Sequence, residues 1–202
     1  MSVFTTYLQL GFLHICSWQA TDHLTFLLAL CAPYVLADWR RVLALVTSFT
    51  VGHSLTLALA TLGVVGAGGA LVEALIPVTI MITALVDIYR AGPALARRPS
   101  RPEPVVWTAP NALAAAFGLI HGLGFSAYLR ALLGAQRRPV VELLSFNLGV
   151  ELGQLLVVSA ILTLGLVVLR SLGAARRDWI LTTSGAALGV AALLLVQLLR
   201  SA

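Results

Sequence analysis

Apolar runs of about 20 residues or more recur along this chain between short arginine-bearing loops, and that length of helix crosses roughly 30 Å of hydrocarbon. No other feature constrains the fold as much. Inside a bilayer every backbone N–H and C=O must find its partner within the protein, so such runs are read as helices. A soluble fold is excluded, because a 202-residue chain that is 59% hydrophobic and 10% charged has too little polar surface to cover itself. The expected fold class is an all-α polytopic membrane protein of about six transmembrane helices, placed at 5–32, 42–64, 71–90, 108–133, 140–169 and 178–199.

One hydrophilic stretch, RAGPALARRPSRPEPVVW at 90–107, interrupts this pattern. Its prolines and arginines divide the chain into a first three-span half (1–90), a linker (91–107) and a second half (108–202). The formal net charge is +5 and all 13 basic residues are arginines. They punctuate the spans instead of forming a patch, which argues against nucleic acid as a partner and makes them topology signals. With no lysine the chain also lacks the Gly-Lys-Ser/Thr phosphate loop of an ATP-driven pump.

Arg40, Arg41, Arg90, Arg97, Arg98, Arg101, Arg170, Arg176 and Arg177 lie at one set of loops, and only Arg130, Arg137, Arg138 and Arg200 at the other. The positive-inside rule then puts both termini outside and the linker in the cytoplasm of a bacterial-type inner (plasma) membrane. The first apolar segment continues too far for a cleaved leader and is expected to remain as a span. Cys16 and Cys31, both in that segment, have no metal-type spacing and read as packing residues.

The two halves resemble each other. SFTVGHSLTL (48–57) lines up with SFNLGVELGQ (145–154), and GFLHI (11–15) with GLIHG (118–122), while the third and sixth spans show no match. Three-span repeats must have opposite orientation, so the expectation is a pair of inverted three-helix repeats, as in many secondary transporters.

Polar residues within the spans carry the chemistry. All four histidines, His14, His23, His53 and His121, fall inside apolar runs, as do Asp22 and Glu151. A charged side chain at such depth costs about 2.5–3.5 kcal/mol on insertion scales, so each needs a partner or a ligand. Asn147, Glu151 and Gln154 follow i, i+4, i+7 spacing on one helix face. Thr47, Thr50, Ser54 and Thr61 share a face of the second span, with His53 on its flank, and the hydroxyls suit interhelical hydrogen bonds.

His14 and Asp22 are eight residues apart, or about 12 Å in a regular helix. Both can reach one ion only if the helix breaks within CSWQAT (16–21). Without a break, Asp22 is expected to orient an imidazole from behind. Glu73 and Asp87 share a face of the third span at opposite ends, with Pro77 between them. Glu73 suits the outer mouth, and Asp87 an ion pair with an interfacial arginine. Imidazole and carboxylate without thiolate or methionine ladders fit a divalent transition ion such as Ni, Co, Zn or Fe.

DHLTFLLAL, SFTVGHSLTL, VEALIPVTI, AFGLIHGLGFS and SFNLGVELGQL, in this order over roughly residues 10–155, together resemble the HupE/UreJ family. These small polytopic proteins are associated with hydrogenase and urease and are regarded as nickel permeases. The resemblance implies nickel as substrate, metalloenzyme-maturation partners, and roles for His14, Asp22, His23, His53, His121 and Glu151 at the metal.

Three readings of function follow. In the first the protein is a divalent transition-metal transporter, taking up nickel or cobalt under the membrane potential. Asp22, His23, His53 and His121 replace part of the ion's water near the midplane, Glu73 and Glu151 attract it, and Asn147, Gln154 and Ser54 support the pathway. In the second the same cluster holds zinc or iron as an intramembrane hydrolase-like enzyme, with Asp22 or Glu151 activating water. In the third the polar network only joins helices, within a homo-oligomer or an accessory subunit.

Overall fold

The computed structural model describes residues 2–18, 20–66, 68–92, 108–133 and 139–201, and all regular structure among them is helical. The helices are α1 (Val3–Cys16), α2 (Thr21–Cys31), α3 (Trp39–Thr61), α4 (Ala70–Arg90), α5 (Ala109–Leu133), α6 (Val140–Leu166) and α7 (Arg176–Ser201). Five of them, α3 to α7, are long and apolar enough to cross a membrane, which makes the chain an integral membrane protein. The sequence-based spans match these five closely. Linker residues 93–107 lie outside the described residues.

The expected first span is two helices. α1 ends at Cys16, Ser17 is extended (φ −82°, ψ 151°), and α2 starts at Thr21 with Asp22 in its first turn. A carboxylate suits that position, where unpaired N–H groups and the helix dipole present positive potential. Pro77 sits inside α4, where its missing N–H leaves the carbonyl one turn earlier without its usual partner.

Two close helix pairs form the body. A Cβ built on Gly11 of α1 would stand 2.0 Å from the Phe146 carbonyl oxygen of α6, and one on Gly149 would stand 2.1 Å from that of Leu8. In α3 and α5 the same happens: Gly118 faces the Phe49 carbonyl at 2.1 Å and Gly52 that of Ala115 at 2.1 Å. No other residue allows such backbone approach, the reason small residues populate membrane helix interfaces. Both pairs run parallel, while α4 and α7 pack antiparallel, Glu73 lying near Leu194 and Leu198 at one end and Ala91 near Trp179 and Ile180 at the other. α2 packs between α4, α6 and α7.

The buried side chains lie in levels. Ile15, Phe146, Val150 and Leu129 belong to one apolar cluster, and Phe26, Phe49, Phe117 and Ile80 to another. The histidines lie against both, with His14 beside Phe125 and Phe146, and His121 beside Phe26 and Phe49.

Candidate metal centre

The break between α1 and α2 creates the site. It lets the chain turn so that the rings of His14 and His23 meet at 4.7 Å between centroids, where a continuous helix would hold residues nine apart at about 13 Å. His23 is the hub, with His53 of α3 at 6.1 Å and His121 of α5 at 5.3 Å. Ligand atoms of His14, His23 and His53 lie within 4.8 Å of one another, and so do those of Asp22, His23 and His121. The two groups share His23 and join four helices.

Hydrogen bonds indicate which nitrogen two of the rings, those of His23 and His121, offer. Asp22 Oδ1 accepts from the His23 backbone N–H at 2.8 Å and stands 3.0 Å from His23 Nδ1. An ionised carboxylate only accepts, so Nδ1 carries the proton and Nε2 keeps its lone pair. Thr79 works similarly on His121. Its hydroxyl donates to the Ile76 carbonyl at 2.7 Å and has no second hydrogen, so across the 3.1 Å contact it accepts from His121 Nε2–H. The lone pair of His121 is therefore on Nδ1.

Those same atoms are the unpartnered ones. His14 Nε2, His23 Nε2, His121 Nδ1 and both nitrogens of His53 are buried without a hydrogen-bond partner among the described residues. An unmade buried hydrogen bond costs about 1–3 kcal/mol, so several converging on one spot point to a ligand. Thr79 was missed in the sequence reading, where a lone hydroxyl two residues after Pro77 gave little signal.

A cavity of about 380 Å³ reaches the cluster, lined by His14, Asp22, His23 and His121 within and by Glu73, Ile76, Pro77 and Leu198 further along. Glu73, in the first turn of α4, is exposed and lines this cavity. A second cavity of about 570 Å³ approaches His14 and Asp22 between α1 and α5, past Leu10, Phe125 and Tyr128.

Glu151, Asn147, Gln154 and Ser54 lie elsewhere. Their helix face meets the hydroxyl face of α3: Thr47 donates to Glu151 at 2.8 Å and Thr50 to Gln154 at 2.7 Å. Glu151, Asn147 and Ser54 line a groove on the α3–α6 seam that includes none of the histidines. Of the hydroxyls expected to bond between helices, Thr47 and Thr50 do so, while Thr61 Oγ1 is buried without a partner among the described residues; Glu151 is not among the groups that close on the imidazoles. Asp87 is buried and shares a cavity lining with Arg90, the arginine three residues on, with no ion pair within 4.0 Å among the described residues. Cys16 and Cys31 are free thiols.

A family model described as HupE / UreJ protein matches residues 1–198, nearly the whole chain. No curated protein and no solved structure matches.

Proposed function

The chain belongs to the HupE/UreJ family, a family tied to metal transport, and from this and the buried imidazole cluster we propose that it is a permease for nickel or cobalt. One observation carries the reading: unpartnered nitrogens of His14, His23 and His121, with Asp22 behind one of them and those of His53 close by, meet a cavity that Glu73 also lines. Neutral imidazoles with a hydrogen-bonded carboxylate are the donor set a borderline divalent ion prefers. His14, His23, His53 and His121 replace water around the ion. Asp22 fixes the tautomer of His23 and supplies charge, and Glu73 draws the cation to the mouth.

Uptake runs from the end that carries Glu73 toward the end that carries Arg40, Arg41 and Arg90. The arginine bias supports placing that second end, with the linker, in the cytoplasm and both termini outside. A potential of 100 mV supplies about 2.3 kcal/mol per charge, so roughly 4.6 kcal/mol for a divalent ion. That sustains a concentration ratio of about three orders of magnitude without ATP. The matched glycine contacts of α1–α6 and α5–α3 support an inverted repeat, since Gly11 and Gly118, like Gly149 and Gly52, occupy corresponding positions of the two halves.

The test is a Ni²⁺ and Co²⁺ titration of detergent-purified protein beside a His53→Ala/His121→Ala variant of equal helix content, followed by flux in liposomes. Reversible binding that the variant loses, with flux under an imposed potential, is the expected result. Metal that survives chelators and supports no flux would favour the enzyme reading. No binding by the unaltered protein would leave a structural network.

A further inference from the structure

On the side of the histidines that faces the arginine-bearing end, each of four helices contributes one apolar side chain, the three phenylalanines about a turn from His23, His53 and His121 and the isoleucine directly after Thr79. α2 gives Phe26, α3 Phe49, α4 Ile80 and α5 Phe117, all of them buried, with exposures between 0% and 7%. Phe26 and Phe49 stack at 4.8 Å, and the ring of His121 touches both, at 5.3 Å and 5.1 Å. An ion held by the imidazoles meets hydrocarbon in that direction.

Beyond the phenylalanines the polarity returns. A separate cavity of about 150 Å³ is lined by Phe117 on one side and by Tyr34, Thr83, Asp87 and Arg90. It has room for about five waters at roughly 30 Å³ each. Asp87 is 6% exposed, and its Oδ2 is buried without a partner among the described residues. Along α4 it lies eight residues past Thr79, the residue that holds His121, hence about 12 Å further through the membrane. A buried acid with an unpartnered oxygen and no ion pair within 4.0 Å among the described residues, at the far side of an apolar barrier from a metal cluster, marks an ion path.

We infer that Asp87 is a second cation contact, which receives the divalent ion after Phe26, Phe49 and Phe117 part and before release at the arginine-bearing end. The inference rests on the permease reading. Arg90 lines the same cavity, so the ion is held there weakly and released, as a transit point requires. Asp87 and the histidines are thus two stations with a phenylalanine plug between them, closed in this structure.

The experiment uses the full chain, with Asp87→Asn and Asp87→Glu, in two measurements: Co²⁺ affinity in detergent and Co²⁺ flux into liposomes at a fixed inside-negative potential. Asp87→Asn is expected to bind Co²⁺ within about twofold of the unaltered protein, because the histidines are untouched, while flux falls at least about tenfold. Asp87→Glu restores a substantial part of the flux by returning the charge. Full flux in Asp87→Asn with intact binding overturns the assignment. Loss of Co²⁺ binding in both variants also overturns it, since Asp87 would then be a structural residue. If the unaltered protein neither binds nor transports, the permease reading itself falls and takes Asp87 with it.

Discussion

Asp22 and Thr79 each hold one nitrogen of a histidine, and in doing so they turn the other nitrogen toward the cluster. Neither needs to touch an ion to control it. Replacing Asp22 by Asn keeps shape but removes the charge that fixes the His23 tautomer, and such changes behind a ligand cost about 10–100-fold in metal affinity. Isothermal titration with Ni²⁺ on Asp22→Asn is expected to show a loss in that range, and an unchanged affinity would mean that Asp22 does not act on His23. Thr79→Val preserves the side-chain volume and strands the His121 N–H. Stability is expected to drop by about 1–3 kcal/mol, measured by denaturation in detergent, with affinity weakened several-fold because His121 is free to turn its protonated nitrogen inward.

Helices make the site possible by approaching one another closely. Where Gly52 and Gly118 bring α3 and α5 into backbone contact, a methyl group would have to sit 2.1 Å from a carbonyl oxygen, so the helices must separate. Gly118→Ala is expected to destabilise by about 1–3 kcal/mol and to loosen His53 and His121, which lie on these same two helices. Gly189 of α7 is the control, with open space where its Cβ would be; alanine there is neutral or mildly stabilising through helix propensity. Equal thermal shifts for the two variants would show that the glycine contacts do not hold the pair. The broken first span belongs to this scale too. A strand of polar and small residues at 16–21 ends α1 and restarts the chain as α2, and the turn between them is what carries His14 to His23.

For the whole molecule, the permease reading requires access from one end at a time, and the cavity lined by Glu73 together with the buried phenylalanines beside the histidines supports it. Protons and metal compete for the same imidazole lone pairs, so acid weakens metal binding and does not strengthen it. Flux into liposomes at constant potential is expected not to rise on acidification; acid stimulation would mean proton coupling and not simple uniport. The amino-acid sequence by itself determined the membrane class, the positions of the five long helices and the placement of all four histidines within apolar runs, because the apolar length needed to cross a bilayer and the cost of polar groups within it are local properties. It also showed that Asn147, Glu151 and Gln154 share a face. Which neighbour that face meets is not local: only packing decided that it pairs with Thr47 and Thr50 of α3, leaving Glu151 away from the imidazoles. Packing likewise buried Asp87 in a cavity that Arg90 also lines and set Thr79 against His121. The physical reason is that periodicity specifies the direction of a side chain around its own helix axis, while the partner it finds depends on how glycine contacts and a broken helix place every other axis.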